Sequence, residues 1–349
     1  MTTLPETLKS RAGQFRAAVR HTTRAWLDGA AHLPLGFWML LVFSIVFFYY
    51  FVQPTFLNEY HELRLFSNFP ELKPLGADLR EYIGFSKALV ENGSPYIRPN
   101  YYPPFESVFF LRFLQMGPDL AYVYLTAISF LCFLAITYLL PLLSAPHHRL
   151  SLAGAFVLVC GLFSYGLWFQ LERGQFDLIV MALCFGGIFL YQRQPRLRWL
   201  AYLLFILSVQ IKLYPVFFVL CFATDWHAWK ANLRRWVLLG LANFAGLFVL
   251  GPKVFMDFIN ALLEQVSRPS YWTAENHSIH SFVTTLIYEY RGDRELYNLL
   301  KLNAGWYQLA LLAIFAACFA TVLWITYRKR LNPANPYVIL LCTIAAMVI

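Results

Sequence analysis

The sequence predicts an all-α, polytopic membrane protein, and three observations lead to that fold class. Only 13% of the 349 residues are charged, against about 25% in an average soluble domain. Hydrophobic residues make up 59% of the chain, and the mean hydropathy is +0.53. Several apolar runs are about 20 residues long, which is the length a helix needs to cross a bilayer. This composition argues against a disordered chain and against a soluble globular enzyme.

Eight apolar stretches are predicted to enter the membrane. Residues 1–32 precede them and carry a cluster of basic side chains, so we expect a cytoplasmic N-terminus followed by a single transmembrane domain over 33–349. The stretches lie at about 33–52, 120–143, 152–171, 176–192, 199–223, 236–251, 304–327 and 336–349.

The Lys and Arg clusters predict which loops face outward. With the N-terminus in the cytoplasm, the basic clusters of the short loops fall inside, as the positive-inside rule requires. The outer loops are then about 53–119, 172–177 and 252–303. Because membrane topology accounts for the net charge of +9, nucleic-acid binding is not expected.

The stretch 199–223 has two interpretations. A single kinked crossing with a snorkelling lysine would place the later basic clusters outside. A re-entrant hairpin with Lys212 near its tip keeps every cluster inside, and Pro215 supplies a break in the helical hydrogen bonds. A lysine at membrane depth must face water or an anion, and the sequence suggests no acidic partner for Lys212. We favour the hairpin.

Asp78 begins a segment with helical periodicity that extends to Val90 in the first outer loop. One interpretation makes Asp78 the N-cap residue of this helix, whose carboxylate accepts free backbone N–H groups. The other makes it a general base at the membrane surface. Position alone does not separate the two.

Polar residues are also dense in the turn 172–177, where Arg173, Gln175 and Asp177 lie between two apolar helices. A simple surface cluster of charges is the competing interpretation. In the third outer loop, His277 and His280 have the spacing of metal ligands, but no third ligand lies at a familiar distance, so no metal is expected. The chain also lacks a P-loop, a GxGxxG motif, a GxSxG elbow and a DxD pair.

Five short stretches together resemble the GT-C glycosyltransferases, and within them glycosyltransferase family 87, which includes polyprenol-phosphate-mannose-dependent mannosyltransferases. The resemblance rests on their order and spacing, and it implies a GT-C-like helical bundle whose outer loops carry short helices. The stretches are Asp78 to Tyr82 with Gly93-Ser94-Pro95-Tyr96, Tyr102-Pro103-Pro104, Gly174-Gln175-Phe176-Asp177, Lys212-Leu213-Tyr214-Pro215, and Asn276-His277-Ser278, where the family has Asn-Gln-Ser.

The resemblance implies an inverting transfer of mannose or another hexose at the outer surface of the plasma or inner membrane. The donor would be a polyprenyl-phosphate sugar and the acceptor a hydroxyl of an extracytoplasmic lipid or glycan, with no cofactor. Asp78 matches the family's base. As cations for the leaving phosphate we choose Lys212 and Arg173. Sugar and acceptor hydroxyls would bond to the remaining candidates, which are Tyr102, Gln175, Asp177, Asn276 and His277.

Two other functions stay open at this stage. A broken hairpin with an intramembrane lysine is also found in transporters, so a lipid or sugar flippase without chemistry is the main alternative. Family members continue beyond the last helix, whereas this chain ends inside an apolar run at Ile349. That end indicates either a fragment or a chain without its C-terminal half-site, and in the latter case a non-catalytic subunit.

Overall fold

In the computed structural model the described residues are 76–144, 161–162, 164–267 and 279–348, and every regular element among them is a helix. The all-α prediction is therefore confirmed for this part of the chain. The predicted span at 33–52 and most of that at 152–171 lie outside the described residues. The chain divides into two compact units, one of 1–75 with 133–173 and a larger one of 76–132 with 174–349.

The first helix of the larger unit, α1 (Ala77–Asn92), confirms the helix predicted from Asp78 onward. Its buried face recurs every three residues at Leu79, Tyr82 and Phe85, as expected for a helix with one apolar side. A glycine with positive φ flanks each end, Gly76 at 73° and Gly93 at 75°. Glycine adopts this left-handed backbone without the penalty of a Cβ.

Helices α2 (Pro104–Phe109) and α3 (Pro118–Leu134) follow, with a 3₁₀ helix at Phe110–Gln115 between them. A π-helical turn at Ala135–Leu139 continues α3 into α4 (Leu140–Ser144). The span predicted at 120–143 is thus helical throughout its described length. Residues Pro118–Leu139 are long and apolar enough to cross a membrane. In the smaller unit, α5 (Tyr165–Arg173) covers the end of the stretch predicted at 152–171.

Helices α6 (Asp177–Arg193) and α7 (Arg198–Ile211) form an antiparallel pair, and the chain reverses again after α7. Lys212 is extended, and a 3₁₀ helix occupies Tyr214–Cys221. At the end of this helix the Gln192 amide donates hydrogen bonds of 2.8 Å to two backbone carbonyls, those of Cys221 and Ala223. Since Gln192 lies at the far end of α6, the chain has returned along α6. The backbone path is the predicted hairpin, with Lys212 at its tip.

The remaining helices belong to the larger unit. The predicted span 236–251 is shifted, because its helix α8 begins seven residues earlier and ends at Gly246. The spans predicted at 304–327 and 336–349 are confirmed as helices, and the former is the second described helix able to cross a membrane. These helices are α8 (Trp229–Gly246), α9 (Pro252–Ser267), α10 (Ile279–Glu289), α11 (Arg294–Leu302), α12 (Ala304–Arg328) and α13 (Pro336–Val348).

Two apolar clusters form the core of the larger unit. In the first, the Tyr82 ring stacks on Phe110 at 5.1 Å between centroids and meets Phe176 edge-on at 4.8 Å. The second contains residues of α6, α7 and the 3₁₀ helix after Lys212 together with two later helices, and in it the ring centres of Phe205 and Phe222 are 4.6 Å apart. The first cluster supports the polar residues of the candidate site.

Candidate active site

Asp78 is the second residue of α1 and is only 6% exposed. The Gln175 amide donates a hydrogen bond of 2.7 Å to its Oδ2 atom. The N-cap interpretation of Asp78 is wrong, because Gly76 occupies that position and no side chain caps the helix. The carboxylate instead faces a segment 97 positions later in the chain.

A contact between two glycines brings this later segment to α1. Gly174 has a φ of 68°, and a Cβ added to it would lie 3.2 Å from the Cα of Gly76 and 3.0 Å from the Cβ of Leu79. Only a residue without a side chain permits such a close backbone approach. The following residue, Gln175, is thereby held beside Asp78.

Lys212 and Asp177 form a buried ion pair. The ammonium lies 2.7 Å from Oδ1 of Asp177, and the two side chains are 12% and 16% exposed. The pair forms because α6 begins at Asp177 and α7 ends just before Lys212, at the same end of the antiparallel pair. The expectation that Lys212 lacks an acidic partner is therefore wrong. Asp78 is also within electrostatic reach of the ammonium.

Aromatic side chains surround the Lys212 ammonium. It lies 4.7 Å from the ring centre of Phe176 and 5.3 Å from that of Tyr102, distances at which a cation is attracted to a ring face. The hydroxyls of Tyr102 and Tyr82 are 3.1 Å apart. Burial, followed by the neighbouring Tyr102 and Asp78, raises the pKa of Tyr82 well above its usual value. Its hydroxyl therefore stays neutral at physiological pH.

A further acid, Glu106, lies fully buried in α2 next to this group. The Ser107 hydroxyl donates a hydrogen bond of 3.0 Å to its Oε2 atom, whereas Oε1 has no hydrogen-bond partner in the described part of the chain. Burial raises the pKa of Glu106 to about 8, although Ser107 and Lys212 act in the opposite direction. At neutral pH this carboxyl group is therefore mostly protonated.

Sequence reasoning assigned no role to Tyr82, Glu106 or Tyr214, whose hydroxyl lies 3.4 Å from the backbone carbonyl of Asp177. The signal for Glu106 was an acid that directly follows Tyr-Pro-Pro-Phe and precedes an apolar run. Tyr82 lies on the apolar face of the predicted helix, so the sequence could not distinguish it from a residue of the hydrophobic core.

Three candidates from the sequence have no described contact with this group of residues. Arg173 belongs to the smaller unit, where its guanidinium lies 5.2 Å from the ring centre of Phe169. Asn276 and His277 lie outside the described residues. The roles assigned to these three residues stay predictions, as do those of the other candidates.

A buried carboxylate, a paired ammonium and neutral tyrosine hydroxyls can accept a proton, balance an anion and bond to hydroxyl groups. In the described part of the chain, two helices are long and apolar enough to cross a membrane. Residues 100–349 match the family model of glycosyltransferase family 87, so the chain belongs to that family, a group of GT-C type glycosyltransferases. Asp78 precedes the matched segment. No curated protein and no solved structure matches the chain.

Proposed function

We propose that the protein is a multi-pass membrane enzyme that transfers a hexose, such as mannose, from a polyprenyl-phosphate donor to a hydroxyl of an extracytoplasmic lipid or glycan. Membership of glycosyltransferase family 87 supports the transfer of a sugar. The observation that carries the proposal further is the grouping of the Asp78 carboxylate with the Lys212–Asp177 pair across one short turn. A base and a cation on adjacent sides of one site suit a displacement that generates an anionic leaving group.

Asp78 acts as the general base in this proposal. The acceptor oxygen forms a bond to the anomeric carbon while the bond between that carbon and the phosphate oxygen breaks. The acceptor proton passes to Asp78, and the bonding electrons leave with the polyprenyl phosphate, so the anomeric centre inverts. The Gln175 amide holds one carboxylate oxygen, Oδ2, which orients the carboxylate towards its task.

Lys212 stabilises the departing phosphate. An ammonium has three N–H donors, and Asp177 accepts one of them. The ion pair keeps the lysine charged at a depth where an unpaired ammonium would be costly. Negative charge that develops on the phosphate is attracted by this fixed cation more strongly in the transition state than in the ground state. Arg173 would add a second positive charge.

Hydrogen bonds with polar side chains would hold the sugar and the acceptor. The ring of Tyr102 lies beside Lys212 and the Gln175 amide contacts Asp78, so the Tyr102 hydroxyl and the amide are both suited to sugar hydroxyls. Asp177 would contribute through its second carboxylate oxygen. Asn276 and His277 are assigned to the same task from their place in the third outer loop.

The proposal is tested by sugar transfer in proteoliposomes that contain the full chain. A panel of polyprenyl-phosphate sugars is supplied with an extracted pool of lipid acceptors, and the labelled product is quantified. Asp78→Asn should lower the rate by about 10²- to 10⁴-fold, the usual contribution of a general base. The matched control is Glu81→Gln, an exposed acid on the same helix, which should transfer at the wild-type rate.

Each outcome separates the candidate functions. Transfer by Asp78→Asn at the wild-type rate would remove Asp78 as the base. Movement of the donor across the membrane of sealed vesicles without any covalent change would identify a transporter instead. A broken hairpin with a central lysine is also found in transporters. Transfer by wild type and by Glu81→Gln alone would establish donor, reaction and base together.

A further inference from the structure

Two arginines converge on one buried tyrosine at the end of α6 opposite to the candidate active site. The guanidinium carbons of Arg198 and Arg235 lie 4.9 and 5.4 Å from the ring centre of Tyr191. Tyr191 itself is completely buried. Among the described residues neither arginine has a carboxylate within salt-bridge distance. Two like charges are thus held close together without a counter-charge.

The groups that do contact these arginines are neutral. The Arg235 Nη1 atom donates to the backbone carbonyl of Phe222 at 3.1 Å and to the side-chain oxygen of Asn232 at 2.9 Å. The Nε atom of Arg198 is buried and has no acceptor in the part of the chain that the structure describes. A buried N–H group normally has a partner, so this position indicates an acceptor that the chain does not supply.

The surrounding charge is strongly positive. Between positions 178 and 256 the sequence contains a single acid, Asp225, and that carboxylate bonds to the backbone and ring of His227. The start of a helix favours negative charge. The first turn of α8 nevertheless has no acidic residue, and basic residues lie near the start of this helix. Four further cations lie on the same end of these helices, namely Arg193, Arg196, Lys230 and Arg234.

Exposed tryptophans place this cluster at the level of lipid headgroups. Trp199 follows Arg198 directly and is 65% exposed, and Trp229 at the start of α8 is 60% exposed. Tryptophan is enriched where a membrane meets water, and arginine clusters at that level bind anionic headgroups. A soluble anion would not account for two large, exposed aromatic side chains on the helices that carry the arginines.

We propose that Arg198 and Arg235 form a binding site for the phosphodiester headgroup of an anionic phospholipid. The phosphate oxygens supply the acceptor that Arg198 Nε lacks and the negative charge that the two guanidiniums need. The acyl chains lie along the apolar surface beside Trp199. Since α6 connects this site to Asp177, a bound lipid fixes the helix pair that carries the Lys212–Asp177 contact. Lipid binding at this site is independent of which sugar donor or acceptor the enzyme uses.

Native mass spectrometry of the full chain in neutral detergent tests the site. Phosphatidylglycerol is titrated against the protein, with phosphatidylcholine as the neutral lipid and glycerol 3-phosphate as the soluble phosphate. The test variant is Arg198→Gln/Arg235→Gln. Its control, Arg196→Gln/Arg234→Gln, removes the same total charge from two neighbouring exposed positions.

We expect phosphatidylglycerol to bind wild type at least tenfold more tightly than phosphatidylcholine does, and the test variant to lose on the order of tenfold in affinity. The control should change by less than about threefold. Equal losses in both variants would show attraction to general surface charge and would overturn the proposal. So would glycerol 3-phosphate binding as tightly as the lipid, because the ligand would then be a soluble phosphate. If the test variant does not fold, Arg198→Gln alone replaces it, since that side chain makes no hydrogen bond through Nε.

Discussion

Glu106 offers a sharp test of the electrostatics around the candidate site. The side chain is fully buried in α2, and its neighbour Ser107 donates the hydrogen bond to Oε2. Glu106→Gln keeps the size of the side chain and an oxygen that can accept this bond. The substitution removes the ability to ionise, so the pH-dependent part of its effect reports the cost of placing a carboxylate there.

The magnitude follows from the pKa. Burial raises the pKa of Glu106 from 4.5 to about 8, and each pKa unit corresponds to about 1.4 kcal/mol. Above pH 4.5 the unfolded chain releases the proton while the folded chain retains it, so stability falls as pH rises and levels off above about pH 8. The loss for this one group is at most about 5 kcal/mol. The Gln variant has no such loss, and its advantage over wild type should therefore grow from pH 5 to pH 8.

Thermal unfolding of the purified chain in detergent measures this advantage. The difference in midpoint between Glu106→Gln and wild type should widen by several degrees between pH 5 and pH 8, since about 1 kcal/mol moves the midpoint of a large domain by roughly 2–4 °C. Glu81→Gln, an exposed acid on α1, should show no comparable widening. A constant difference for Glu106→Gln across this range would show that the carboxyl group ionises normally, and the reasoning from burial would be refuted.

Three further predictions concern packing and pairing. Gly187→Ala should lower the free energy of unfolding by about 1–3 kcal/mol, because the added Cβ would lie 2.9 Å from a backbone carbonyl of α7. The control Gly186→Ala adds a Cβ that meets no atom within 4 Å, so its thermal midpoint should be unchanged or higher. Lys212→Met leaves Asp177 buried without its cation and should lower the free energy of unfolding by about 3–5 kcal/mol. The double variant Lys212→Met/Asp177→Leu should recover most of this loss. Equal thermal midpoints for the single and double variants would contradict the pairing. Ser94→Ala removes a hydrogen bond of 2.8 Å to a carboxylate of α9 and should cost about 1 kcal/mol, seen as faster amide exchange in that helix.

The helices were largely predictable, because apolar length and periodicity are local properties of a sequence. The stretches that became α1, α6, α12 and α13 were located to within a few residues. The reversal at Lys212 was also predictable, since charge distribution and Pro215 gave two independent indications of it. The start of α8 was placed seven residues too late, because its first turns are polar and basic, and a search for apolar runs passes over them.

Several side chains that lie close together in the structure could be selected from the sequence, but their contacts could not. Asp78, Gln175, Asp177 and Lys212 were all selected from sequence, but the pairing of Asp177 with Lys212 depends on how α6 and α7 align in space. Spacing along the chain carries no information about that alignment. Glu106 was missed for a related reason, because its burial is a consequence of tertiary packing.

The contact between Gly76 and Gly174 limits which substitutions the protein can accept near Asp78 during evolution. Each glycine has a left-handed backbone. A Cβ on Gly174 would lie 3.2 Å from the Cα of Gly76, whereas a Cβ on Gly76 would lie 2.9 Å from the ring of Tyr122. A side chain at position 174 cannot be accommodated by a smaller residue at position 76, since glycine is already the smallest. Gly93 is also left-handed but meets no atom within 4 Å, so asparagine is tolerable there. Backbone conformation and lack of space therefore both favour glycine at these two positions, and diversity near Asp78 must arise around them.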